Sequence, residues 1–295
     1  MYVLGGLAAL AASGLAILST PWAQRYLERR MIAALESATG ARVEIRSFDF
    51  RPLTLEFVLH DLLVRGSEPS AAPPLFSAKT VTVRMRLRAI IERKPLLASL
   101  DWDEAEIHLS VSPEGSTNMP ESPAHESAPA EWSVSRVALS KTSIFWNDQR
   151  LRVGLEAGDL AILVRRTPTG KYAGSISATE VQVRGPKFEL PRISFNAQAE
   201  LSRAGLETQA LSWQCAGVTS RGNLSVTSWN PLGLRFSYNS DGEIRELAEV
   251  FGLREVLGGR GNLRGTLTYH DKILQAEGKI AFRQLEFRTG QENLK

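Results

Sequence analysis

The sequence predicts a mainly β protein: an N-terminal transmembrane helix, an amphipathic helix, then a long antiparallel β-sheet of about fifteen strands. Three observations carry this expectation. Residues 2–19 contain no charged side chain. The hydrophobic period is helical from Trp22 to Thr39 and changes to two after Arg42. From there alternation continues nearly to the end with little helical interruption, which favours an antiparallel meander over a parallel α/β sheet.

The uncharged run Tyr2 to Ser19 is just long enough to cross a hydrocarbon core at 1.5 Å per residue. No basic residue precedes it and Pro21 sits where cleavage after Thr20 would be blocked, so residues 1–20 read as an uncleaved anchor, not a signal peptide. Arg25, Arg29 and Arg30 follow the anchor, and the positive-inside rule alone would place the body in the cytoplasm. In the second helix, residues 21–40, Thr20 caps, Pro21 starts and Gly40 terminates. Trp22, Tyr26, Leu27, Met31, Ala34, Leu35 and Ala38 read as one apolar stripe, with Arg25, Arg29 and Glu36 away from it. This helix is expected either to lie on lipid headgroups or to plug the first edge of the sheet; the plug is favoured because an uncovered strand edge invites aggregation.

Strands follow. Val43 and Ile45, then Leu53, Leu55, Phe57 and Leu59, then Val81, Val83, Met85 and Leu87 alternate with polar residues, and residues 41–112 form an N-terminal β module. Asp101, Asp103 and Glu104 read as a turn entering a strand at Ala105. Residues 113–131, rich in Pro, Ser and Glu, read as a flexible linker. Residues 132–295 resume the alternation through Leu160, Ile162, Val164, Phe195, Phe236 and Phe282, broken by a short helix over residues 243–251. The glycines of the segment from Gly258 to Gly265 read as turn residues; the segment lacks the Lys-Ser/Thr and the following helix that a phosphate-binding loop requires.

Composition limits the function classes. Apolar residues make up 43% of the chain, enough to build a sizeable buried surface, so chain-wide disorder is not expected. Net charge is +3 with arginines scattered along the chain, and nucleic-acid binding, which needs a concentrated basic patch, is not expected. The single cysteine, Cys215, allows no intrachain disulfide and reads as a strand residue. His60, His108, His125 and His270 lie far apart, and no nucleophile elbow, Walker motif or H-E-x-x-H helix is present, so neither catalytic residues, a metal site nor a cofactor is expected.

Sheets of this kind must hide one apolar face, as a sandwich, a closed barrel or an open trough holding a greasy ligand; periodicity leaves these alternatives open. An outer-membrane barrel is disfavoured by the retained anchor and the lack of aromatic girdles.

The order of features resembles the AsmA-like and TamB-like superfamily. Carrying the resemblance are the anchor, the helix ending in ALESATGARVEIRSFDF, the segment LHDLLVRG, the stretch KTVTVRMRLRAIIERKPLLASLDWDEAEIHLSV with the following PEGSTNMP, and later ALSWQCAGVTSRGNLSVTSWNPLGLRFSYNSDGEIRELAEVFGL with GRGNLRGTLTY. Members of that superfamily are usually longer, so the chain is expected to be truncated at its C-terminus or else to be a short member that hands its cargo to a partner. The resemblance implies a curved β-trough in the periplasm, a single-pass inner-membrane anchor, and a part in outer-membrane biogenesis. It implies phospholipid acyl chains carried along a hydrophobic groove, or alternatively a translocation and assembly module cooperating with an outer-membrane β-barrel partner in protein secretion. The candidate groove residues are Leu55, Phe57, Val81, Val83, Met85, Leu87, Ile107, Leu109, Ile162, Val164, Phe195 and Phe236.

Overall fold

The computed structural model describes residues 20–88, 96–120, 133–186, 188–202, 204–229, 232–245, 256–270 and 273–287. The anchor expected over residues 1–20 therefore lies, except for Thr20, outside the described residues. So does most of the helix expected over 243–251, although Glu243 ends a strand. Among the described residues no helix is long and apolar enough to cross a membrane. The chain is mainly β and divides into two compact units, Met1–Arg150 and Leu151–Lys295.

The first unit begins with α1 (Pro21–Thr39). Thr20 Oγ1 accepts from Ala23 N at 3.4 Å, and Gly40 closes the helix at φ 70°, donating its N–H to Glu36 O at 2.8 Å. Both ends are thus capped as the sequence dictates, because a left-handed terminal residue without Cβ costs least. Leu27, Met31, Ile32 and Leu35 pack on a core of Val43, Phe48, Phe50, Leu59, Leu62, Ala78, Val81 and Ala105. Trp22 and Tyr26 do not join them: they are 74% and 51% exposed. The single stripe read from the sequence is therefore corrected to two faces, because at 100° per residue Trp22 and Tyr26 lie opposite Met31.

The sheet under α1 comprises β1 (Arg42–Glu44), β2 (Ser47–Arg51), β3 (Glu56–Arg65), β4 (Phe76–Met85), β5 (Leu96–Val111), β6 (Ser133–Val134) and β7 (Arg136–Asp148). Strands β1 and β2 both pair with β3, followed by β4, β5 and β7. The uniform antiparallel order expected from the sequence fails at β5, which pairs in parallel with both β6 and β7, Leu100 opposite Val137 and Val111 opposite Asp148. A parallel pair needs a crossover of a dozen or more residues, and the Pro/Ser/Glu-rich segment supplies that length. Its first part is tied down. Asn118, buried, donates from Nδ2 to His108 O at 2.7 Å and accepts from Ser110 N at 2.9 Å, while its own carbonyl accepts from Ser67 N at 3.1 Å. Residues 121–132 lie outside the described residues.

Within the strands, Asp61, Glu104 and Lys141 adopt φ of 49°, 50° and 47°. Each sits where two polar residues in succession separate less exposed ones: Leu59-His-Asp-Leu62, Trp102-Asp-Glu-Ala105 and Leu139-Ser-Lys-Thr142. The left-handed residue there restores the alternation without shifting the register, so the residues on both sides of it face the same way. Glu104 meets Lys79 at 2.9 Å and Lys141 at 3.9 Å on the polar side. Asp101, Asp103 and Glu104 thus lie inside β5, not in a turn before it.

The second unit holds β8 (Val153–Arg166), β9 (Tyr172–Gly185), β10 (Phe188–Glu189), β11 (Ile193–Leu201), β12 (Leu206–Cys215), β13 (Val218–Trp229), β14 (Leu232–Glu243), β15 (Val256–His270) and β16 (Ile273–Phe287). The order is β8-β9-β11-β12-β13-β14-β15-β16 with every pair antiparallel, and β10 flanks β9. Ala216 and Gly217, at φ 48° and 72°, make the two-residue turn between β12 and β13, matching the twist of the strands. Gly258 to Gly265 lie inside β15, which corrects the turn reading. Among the described residues no pairing joins β16 back to β8, and the unit contains no second sheet. Among the described residues of this unit, neither a closed barrel nor a second sheet hides the apolar face.

Candidate functional site: the apolar strand faces

Register places one apolar row after another on the same side of the second unit. Phe195 faces Trp213, Trp213 faces Ser220, Ser220 faces Ser240, Ser240 faces Leu263 and Leu263 faces Ile280. Gly222, Tyr238, Gly265 and Gly278 form the next row on this side, and Leu224, Phe236, Leu267 and Ala276 the one after it. Trp213, Phe236 and Tyr238 cluster on this side, with ring centroids 5.4 Å and 5.6 Å apart. The two hydroxyls in the first row satisfy each other, Ser220 Oγ donating to Ser240 Oγ at 2.7 Å, so they add little polarity to it. The reverse side carries Asn196, Ser212, Arg221, Asn239, Arg264 and Lys279 in register.

Glycine shapes the apolar side. A Cβ on Gly265 would come within 2.6 Å of the Tyr238 hydroxyl, and one on Gly222 within 3.1 Å of Trp213 Cζ3. These rings lie over the neighbouring strands only because no side chain stands there. The result is a broad greasy surface: Leu155, Ile162, Val164, Phe195, Trp213, Phe236 and Leu267 remain half-buried, while Leu263, Ile280 and Phe282 are exposed. The polar side has an open furrow of about 1110 Å³ bordered by Arg221, Arg264, Glu277 and Lys279. Its charges are of mixed sign and exposed, which selects no ligand class.

The structure separates the candidate groove residues into groups. Val81 is 4% exposed in the core beneath α1, and Leu55, Phe57 and Val83 pack against that core, Phe57 stacking on Phe50 at 4.6 Å. Val81 thus belongs to the core beside α1, while Leu55, Phe57 and Val83 border that core and stay half-buried. Leu87 projects beyond β4 at 69% exposure, and Met85 ends that strand half-buried. Ile107 and Leu109 lie half-buried opposite Ile144 and Trp146. Ile162, Val164, Phe195 and Phe236 all fall on the uncovered side of the second unit. Trp213, Tyr238 and Leu267 belong to the same surface and were missed; strict alternation with Phe195 and Phe236 in the register above is what would have found them.

Glu56, 5% exposed, accepts from Arg84 Nε at 3.2 Å and from Arg51 at 2.8 Å. The Arg84 hydrogen bond is the main cause holding its carboxyl below the usual range, against an opposing effect of burial. His108 stacks on Phe145 at 4.6 Å and approaches Glu106 at 3.4 Å, and His60 lies 3.4 Å from Asp49. Cys215 is half-buried in β12. Among the described residues no group of three or more His, Cys, Asp and Glu is placed to hold a metal ion. In comparison with known proteins, the chain matches no family model and no curated protein.

Proposed function

We propose that the protein is a non-enzymatic, membrane-anchored carrier of phospholipid acyl chains, with the strands of its second unit forming a shallow hydrophobic trough. The observation that supports this reading most is the uncovered apolar side of β8 to β16: no second layer faces it among the described residues, yet it holds Phe195, Trp213 and Phe236 in one patch. Contiguous apolar surface of this extent on a soluble face marks a site for an apolar partner. Acyl chains fit it without a specific pocket, since each buried methylene gains about 0.8 kcal/mol. Headgroups would stay wet at the rim. The uncharged segment 2–19 would anchor the chain in the inner membrane, with the strands in the periplasm and lipid moving toward the outer membrane.

A second reading rests on the last strand. In β16, Ile273, Ile280 and Phe282 are 61%, 62% and 52% exposed, and its outer edge carries no partner strand among the described residues. Such an edge can pair with an incoming strand, which suits an assembly factor for outer-membrane proteins working with a β-barrel partner. The two readings differ in cargo. Residues 20–295, purified without detergent, are expected to release stoichiometric phospholipid into chloroform, detected by mass spectrometry. A lipid-free monomer would reject the carrier, and copurifying unfolded polypeptide would favour the assembly factor.

A further inference from the structure

We infer that α1 has a second role opposite its packed face: its outer face lies in the headgroup layer of an anionic bilayer and seats the first edge of the sheet on the membrane. The inference rests on the membrane-anchored reading above and extends it. At 100° per residue, Trp22, Tyr26, Arg29 and Ala33 fall within about 60° of one another, with Arg25 and Arg30 on the flanks. All six are exposed. Trp22 and Tyr26 stack with ring centroids 6.2 Å apart and planes 14° from parallel, and the Arg30 guanidinium sits 5.8 Å from the centre of the Tyr26 ring.

A helix that served only as a plug would turn its aromatics to the core. This one turns Leu27, Met31 and Leu35 inward and leaves Trp22 and Tyr26 in water. Tryptophan and tyrosine settle at membrane interfaces because their rings are amphipathic, and arginine forks match phosphate oxygens. Three arginines on one side of one helix complement anionic headgroups. Position specifies the occupant further: α1 begins immediately after residues 2–19, the uncharged run. A segment of that kind in the bilayer delivers the first turn of α1 to the interface. With its inner face held by β1, β2 and β3, the helix would place this edge of the sheet about one helix diameter, roughly 10 Å, from the headgroups.

The test uses the full chain reconstituted into phosphatidylcholine vesicles with or without phosphatidylglycerol. Cys215→Ser removes the only native thiol. Ala33→Cys, on the outer face, carries a fluorophore, and Gln198→Cys, exposed on the polar side of β11, carries the control. Nitroxide lipids spin-labelled near the headgroup should quench position 33 at least about two-fold more than position 198 in anionic vesicles. The excess should fall to the control level in Arg25→Gln/Arg29→Gln/Arg30→Gln and in Trp22→Ser/Tyr26→Ser, with melting unchanged because all five side chains are exposed. Flotation after an alkaline wash separates the premises. Protein that floats while position 33 is quenched no more than position 198 overturns the inference alone, including the case of a label shielded from water by a protein partner. Protein that does not float overturns the anchor and this inference together.

Discussion

The two units use the same strand pattern but treat their apolar faces differently. In the first, α1 covers the sheet, and Leu59 is left 2% exposed and Val81 4% exposed. In the second, Phe195, Trp213 and Phe236 share the apolar face of the sheet and stay only half-buried. Alternation therefore specifies which side chains share a face, but whether that face becomes a core or a binding surface depends on a covering element. One helix makes the difference here.

The largest expected effect probes the covered face. Leu59→Ala should lower the stability of the first unit by about 2–5 kcal/mol, because a packed core cannot fully collapse around the lost volume. Phe236→Ser, on the uncovered face, should cost only about 1 kcal/mol in chemical denaturation yet strongly reduce bound phospholipid. Equal losses of stability would erase the distinction between the units. Asn118→Ala should cost about 1–3 kcal/mol, since it orphans His108 O and Ser110 N where the crossover segment leaves β5.

Acid sensitivity sharpens the comparison further. The folded-state carboxyl of Glu56 titrates below its ordinary range, so its contribution is present above the unfolded-state pKa of about 4.3 and is lost as pH falls through the folded value. Glu56→Gln should remove about 1–2 kcal/mol at neutral pH and flatten the acid limb of first-unit stability. The smallest effect belongs to Leu87→Ser, which should stay within about 0.5 kcal/mol because Leu87 is exposed.

Much of this was legible in the residues. Thr20, Pro21 and Gly40 marked both ends of α1, and period-two alternation marked the strands. Direction was not legible, because alternation is the same in parallel and antiparallel strands; only the length of the segment after Val111 hinted that β7 returns alongside β5. The faces of α1 were misjudged by counting apolar residues without separating angles near Trp22 from those near Met31. Glycine misled at Gly261 and Gly265, where the alternation with Leu263 and Leu267 outweighs the turn preference of the residue. The candidate groove residues were legible as a strand face, but not as covered or uncovered, since the covering helix lies far away in sequence from most of them.

The most direct test places a photoactivatable benzoylphenylalanine at Phe57 or at Phe236 in the full chain, in cells, and identifies what each captures. Intramolecular crosslinks alone are expected at Phe57, packed on the core of the first unit, and phospholipid adducts at Phe236. Phospholipid at neither position, or equally at both, would contradict this expectation.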